Sequence, residues 1–551
     1  MKGHIVDVVR REIFDGELVI DGEKIVEVKR CELPVREKPW PYVMPGFIDS
    51  HVHIESSMMV PYKFAYIAAS QGTIGVIADP HEIGNVLGVE GVDYMIRSGR
   101  EARFNFCFGA PSCVPAVGGD IETSGDVIGA EAIEVLMARD DIGFLGEMMN
   151  YPGVLNGDWQ VLGKIEAALR RGKPVDGHAP GLTGQQREQY AAAGVTTDHE
   201  CSTLDEGRSC IKAGMKVIIR EGSAAKDYER LSPLIGERSD MVMLCTDDCH
   251  SDDLVRGHIN NIVKRALADG YDLWDILQAA CVNPQKHYNQ HWGLLQTGDP
   301  ATFITVSSLT PHFRVESTVI RGKEVFNYNA SLPTDLSPKA DESLYTDFPN
   351  RFVAVPITAD DISLDIKGGD TVHIIHASDG SLLTEHETIL LTGNPLTDSR
   401  YPWSEVQKIV VYNRYERGAK PIVGLVRGFG ISHGAIAASV AHDCHNIVAI
   451  GSNDEFLVSA INRVIEMRGG QVVVSADEML DIPLPIAGLM TPLNGHEIAF
   501  RTMLINEMVR RIGCQMKSPF ITMAFMCLPV IPEIKITDSH LMDTKNMTVI
   551  K

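Results

Sequence analysis

The stretch MPGFIDSHVHIESSMM, residues 44–59, is a short apolar run that ends in two histidines two positions apart. In an extended chain residues i and i+2 project to one face, so His51 and His53 point the same way. Alone, such a pair reads equally well as surface or capping histidines. The chain then repeats the pattern. TIGVIADPHE (73–82), GFLGEMMN (143–150), KPVDGHAP (173–180), GVTTDHE (194–200), KVIIREGS (216–223) and MVMLCTDDCH (241–250) are apolar, strand-like runs that end in polar residues, and helical patterns follow. Strand, polar end and helix, repeated over roughly 250 residues, predict an α/β fold of the TIM-like (β/α)8 barrel type, with the active site at the strand C-termini.

The barrel pattern spans 44–290. Strand-rich stretches flank it: HIVDVV and GELVIDGEKIVEVK before, WGLLQTGDPATFITVSS and VESTVIRGKEVF after. Asp21-Gly22 is a hairpin signal. A small β-sandwich domain assembled from residues 1–43 plus 291–330 accounts for both blocks. Residues 331–350 are polar and turn-rich and read as a linker. Residues 351–551 read as a further α/β or α+β domain, with a helix over 453–468 and a strand at QVVVSA (471–476).

The ionisable residues sit where such a barrel does its chemistry. His51 and His53 end one strand, Glu147 another, and His178, His199 and the pair Asp247-Asp248 end three more. Imidazole and carboxylate suit Zn, Mn or Fe(II). Six ligands, His51, His53, Glu147, His178, His199 and Asp247, exceed what one catalytic ion needs and suit two ions bridged by Glu147, sharing one activated water. Adjacent residues of an extended chain point apart, so only one of Asp247 and Asp248 is expected at the centre, and Asp247 is preferred.

The chain has 551 residues, 44% apolar and 22% charged, with a net charge of −23. That acidity argues against nucleic acid or an anionic membrane as partner. Eleven cysteines without a CxxC fit a reducing cytoplasm. No secretory signal is visible, and no apolar run of about 18 residues is present to cross a membrane. A homo-oligomer is expected for a large metabolic enzyme.

PGFIDSHVH with the later His, His and Asp stations resembles the amidohydrolase superfamily. PGFIDSHVHIESS, DPHEIGNV (79–86), GFLGEMMNYPGV (143–154), DGHAPGLTG (176–184), TTDHE (196–200) and CTDDCHSDDL (245–254) resemble its adenine deaminase branch. So do GFGISHGAIAASVAHDCHNIVAIG (428–451), LPIAGLM (484–490) and LPVIPEIKITD (528–538), a C-terminal block that other amidohydrolases lack. The resemblance implies a binuclear Mn or Fe site holding the six residues above, and hydrolysis of adenine to hypoxanthine and ammonia. Glu147 stands where many relatives use a carboxylated lysine.

Such a reaction needs Asp247 to move a proton and a second group to protonate a ring nitrogen. Glu82, His81 and Glu55 are the candidates, Glu82 first. A loop ion pair is the alternative for Glu82, and a helix N-terminal carboxylate the alternative for Glu55. His81, Arg220 and Ser223 are candidate substrate contacts, though Arg220 equally reads as paired with an acidic neighbour. His442 and His445 read as a buried polar cluster or a loop over the active site, or else as a second metal site. FITMAFMCLP (520–529) reads as core. Two other functions compete: a hydantoinase-like hydrolase of cyclic amides, against which Glu147 speaks, and a non-catalytic scaffold, against which the filled ligand stations speak.

Overall fold

The computed structural model describes residues 1–330, 341, 343–391 and 405–550. Four strands open the chain: β1 (Lys2–Asp7), β2 (Glu12–Asp21), β3 (Lys24–Arg30) and β4 (Tyr42–Met44). Gly22 takes φ 59° in the tight turn between β2 and β3, as the Asp-Gly signal requires.

Eight strands follow, all paired in parallel. The first arc is β5 (Phe47–Val52), β6 (Thr73–Ala78), β7 (Asn105–Ala110), β8 (Ile142–Met148) and β9 (Val175–Gly177). The second is β10 (Thr197–Asp198), β11 (Lys216–Arg220) and β12 (Val242–Cys245). β6 is buried along its whole length, the state that near-continuous apolar runs adopt when helices cover both faces of a parallel sheet. Backbone bonds join the arcs. The Thr196 N–H donates to the Val175 carbonyl at 2.9 Å, and the Asp247 N–H donates to the His51 carbonyl at 2.9 Å.

β13 (Phe303–Val306), β14 (Val315–Ile320) and β15 (Lys323–Asn327) then return to the opening strands. Together they form one seven-stranded sheet in the order β15-β14-β13-β4-β1-β2-β3. Where a β-sandwich was expected, the strands form a single continuous hydrogen-bonded sheet. Register shifts in β2, β13 and β14 interrupt its ladders, and the Ile25 N–H next to one edge donates to the Asp299 carbonyl at 2.9 Å.

Of the expected linker 331–350, residues 331–340 and 342 lie outside the described residues. The C-terminal part holds a mixed sheet of β16 (Thr371–Ala377), β17 (Thr384–Leu390), β18 (Val406–Tyr412), β19 (Ile422–Arg427), β20 (Ala435–Ala438), β21 (Ile447–Gly451), β22 (Gly470–Val474) and β23 (Met479–Pro483). The expected helix is Asp454–Met467. Asn453 caps it by accepting the Phe456 N–H at 2.9 Å, and it buries Leu457, Ala460, Ile461 and Val464, one helical stripe. Each fully buried Leu or Ile there contributes about 1.5–3 kcal/mol. One apolar core continues from Val6 through the parallel strands to Ile536, so the C-terminal part is packed onto the strands that carry the ionisable residues. Among the described residues no helix is long and apolar enough to cross a membrane.

Candidate active site

The ends of the parallel strands converge on Glu147. Its Oε2 lies 2.6 Å from His178 Nδ1 and 3.0 Å from His199 Nε2. Its Oε1 lies 3.4 Å from His53 Nε2 and 3.3 Å from His81 Nδ1. Asp247 Oδ1 lies 3.0 Å from His53 Nε2 and 3.6 Å from His51 Nε2, and these two nitrogens are 3.2 Å apart. The His51 ring stacks on His199 with centroids 4.0 Å apart. All these side chains are buried. His51, His53, Glu147, His178, His199 and Asp247, from five different strand ends, meet in one place.

The arrangement fits cations. The His53 Nδ1–H donates to the Asp79 carbonyl at 3.0 Å, which leaves Nε2 facing the carboxylates of Glu147 and Asp247. A lone pair held against two carboxylates is repulsive until a cation, proton or metal, sits between them. Neighbouring ligands on an ion with bonds of about 2.1 Å stand about 3.0–3.4 Å apart, the scale of the spacings here. His51, His53 and Asp247 form one such group; His51, Glu147 and His199 form another. Burial pushes the Glu147 carboxyl up, but the His178 and His199 charges outweigh it and hold it well below the usual carboxylate range. Burial likewise raises Asp247, and the His53 hydrogen bond with the Arg220 and His199 charges reverses this.

Several expected contacts differ. Asp247 has φ 57°, a left-handed conformation that Asp tolerates and that breaks strand alternation. Both Asp247 and Asp248 line the cavity, and Asp247 is the one whose carboxylate faces His51 and His53 at its centre. Asp248 Oδ1 accepts the Ser56 hydroxyl at 2.5 Å, tying this strand end to the loop after His53. Ser223 is not a cavity residue: its hydroxyl donates to Asp253 at 2.6 Å and accepts the His250 N–H at 3.0 Å. Arg220 lines the cavity, but its guanidinium is taken by Glu200, by Asp247 at 2.9 Å and by Asp227 at 3.1 Å, the ion-paired alternative. Glu55 lies behind the cavity, because the turn Ile54–Ser57 carries it away. Its Oε1 accepts the Ile83 N–H at 3.1 Å in the first turn of the helix His81–Leu87.

Glu82 and His81 do line the cavity. Glu82 accepts from His442 Nδ1 at 2.8 Å and pairs with His445 Nε2, so the AHDCHN loop reaches over the strand ends. Burial raises the Glu82 carboxyl, but the charges of His442, His445 and His81 hold it well below its usual range. Met149 and, from the C-terminal part, Leu382, Asp443, Phe525, Leu528 and Ile531 also form the wall. FITMAFMCLP is thus cavity wall as well as core. Glu200, 3.9 Å from His178 Nδ1, was missed too. Its adjacency to His199 in TTDHE was the available signal.

The profile of the amidohydrolase family matches residues 42–325, and that of the adenine deaminase C-terminal domain matches 382–548. An adenine deaminase of Salinibacter ruber is 44% identical over 98% of this chain and 96% of its own length. Those of Sulfurovum sp. (44%; 99% and 98%) and Methanosarcina mazei (42%; 98% and 97%) are similar to the same extent. Among solved structures, a dihydropyrimidinase from Brevibacillus agri NCHU1002 superposes with a TM-score of 0.45 at 15% identity, covering 59% of this chain and 95% of that one. With two family profiles matched over separate stretches and full-length relatives above 40% identity, the chain belongs to the adenine deaminase family of the amidohydrolases.

Proposed function

We propose that this protein hydrolyses adenine to hypoxanthine and ammonia, using His51, His53, Glu147, His178, His199 and Asp247 to hold two divalent ions, Mn or Fe, with Zn also compatible. The observation that carries this reading is the split carboxylate of Glu147. One oxygen faces His178 and His199, and the other faces His53, the contact pattern of a bridging ligand. The two parallel arcs are read as one closed (β/α)8 barrel, supported by the backbone bonds across the Thr196–Val175 and Asp247–His51 seams. The division into 1–43 plus 291–330, 44–290 and 351–551 follows from it.

Two bound ions would lower the pKa of a water so that hydroxide is present near neutral pH. Asp247 receives the proton of that water and returns it to the leaving amine at C6. The Arg220 Nη1–H on Asp247 Oδ2, at 2.9 Å, fixes the carboxylate so that Oδ1 faces the reaction. Glu82 is a carboxylate held by His442 at 2.8 Å, so it relays to the attacked ring a proton drawn from His442. Burial lowers the His442 pKa, but the Glu82 charge raises it to about 9. Glu82 then takes back the proton that the C6 hydroxyl loses on forming hypoxanthine. Leu382, Phe525, Leu528 and Ile531 flank a flat apolar ligand and exclude water.

The test is protein loaded with Mn or Fe(II), assayed for ammonia and hypoxanthine from adenine. Turnover is expected, and Glu147→Gln should lose both bound metal and turnover. A wild-type protein inert toward adenine, or a Gln variant with unchanged metal and rate, refutes the reading.

A further inference from the structure

The cavity contains a buried acceptor that the steps above leave idle. Asp443 lies in its wall, is 2% exposed, and its Oδ2 has no hydrogen-bond partner. The nearest imidazole nitrogens are His81 Nε2, 3.9 Å from Oδ2, and His442 Nδ1, 3.7 Å from Oδ1, both too far for a hydrogen bond. A buried carboxylate oxygen is costly to leave unpaired. The loop that carries it is firmly held. The His442 N–H donates to the Ala524 carbonyl at 3.2 Å, the Tyr415 hydroxyl to the Cys444 carbonyl at 2.6 Å, and the Asn446 amide to the Thr123 carbonyl at 2.9 Å. Phe525 stacks on the His442 ring at 4.3 Å. A rigid unpaired acceptor beside an aromatic wall is a position for a ligand N–H.

Adenine offers N–H groups in two places only: the amine on C6 and the ring nitrogen of its five-membered ring, N7 or N9. His81 separates Asp443 from the reaction centre, its Nδ1 facing Glu147 and its Nε2 facing Glu82 and Asp443. The amine belongs at the reaction centre, which leaves the five-membered ring. Resting on adenine as the substrate, we propose that Asp443 accepts the N–H of the purine's five-membered ring. The C-terminal part thereby selects a free base over a base substituted on that ring.

The experiment compares kcat/KM for adenine, 7-methyladenine and 9-methyladenine in the metal-loaded wild type, Asp443→Asn and Asp443→Ala. Either methyl removes the ring's single N–H, so in the wild type both methyl isomers should be disfavoured by roughly 10- to 100-fold, the worth of a hydrogen bond to a charged group. In Asp443→Ala, adenine should fall by a similar factor, mostly through KM, and the penalty for methylation should largely vanish. A residue that only supports the fold would lower all three substrates by one factor, so an unchanged penalty overturns the assignment. The isosteric Asn variant gives the same comparison if the Ala variant does not fold. Wild-type enzyme that accepts either methyl isomer like adenine overturns it without any variant. Wild type inert toward adenine instead overturns the proposed function, and this assignment with it.

Discussion

The left-handed backbone of Asp247 shows at the residue scale what strand alternation conveys and where it stops. Alternation paired His51 with His53, and their Nε2 atoms stand 3.2 Å apart, even though the register with β6 shifts between Asp49 and Val52. At Asp247 a φ of 57° ends that geometry, and contacts rather than alternation distinguish Asp247, facing His51 and His53, from Asp248, which holds Ser56. Ser223 misled for a related reason: it lies past a strand end, in a loop whose hydroxyl contacts are local. Asp443 carried no local signal, since its significance comes from packing against residues more than 350 positions away. Lys535 is another such residue. It is fully buried in the strand Ile534–Ile536, with Nζ donating to the carbonyl of the cavity residue Leu382 at 2.8 Å. Burial pushes its pKa from the ordinary 10.5 down to about 7. Between those values the unfolded chain holds a proton that the folded chain does not, so this residue makes stability rise with pH. Below about 7 both states are protonated and its penalty is constant. The difference in Tm between wild type and Lys535→Met should therefore shift in favour of wild type from a pH of about 7 to about 9. A difference that stays flat across that range would show that Lys535 titrates as an exposed lysine.

At the scale of elements, the repeated strand-and-helix pattern made the parallel strands legible, because buried parallel strands are apolar along their length and end where the polar residues begin. What the pattern does not convey is how closely neighbouring strands approach at those ends. Gly146 in β8 faces the Asp79 carboxylate, which would collide with a Cβ there. That carboxylate accepts the Glu147 N–H at 2.8 Å. A side chain at 146 would push Asp79 away and turn Glu147 out of line with His178 and His199. Gly146→Ala should lower metal occupancy and turnover by roughly tenfold or more, on the scale of lost outer-shell contacts, while the far-UV circular dichroism stays native. Full metal occupancy at wild-type rate would mean that Asp79 does not position Glu147.

At the scale of the molecule, the strand-end chemistry and the C-terminal part form one mechanical unit. The apolar core is continuous between them, and the Glu82–His442 bond links residues 360 positions apart across their contact. This junction was the least legible part of the sequence. FITMAFMCLP read as ordinary core, and His442 with His445 read as a buried polar cluster or a loop over the active site without a named partner, because hydrophobic pattern and spacing report on local elements and not on which element lies over which. The junction predicts an asymmetric response to metal. Ions held by His51, His53, Glu147, His178, His199 and Asp247 would stabilise the folded state by mass action. Because the AHDCHN loop is fastened to Glu82, one helix away from those ligands, that stabilisation must reach β20 and β21, although neither strand contributes a ligand. Hydrogen exchange measured with and without Mn should show slower exchange in residues 435–451 as well as in 47–53, 142–148 and 242–248. The edge strand β3 of the seven-stranded sheet, which contributes no cavity residue, should respond least. Protection confined to the ligand-bearing strands would separate the two halves energetically and would leave the C-terminal wall as a cover with no share in holding the site.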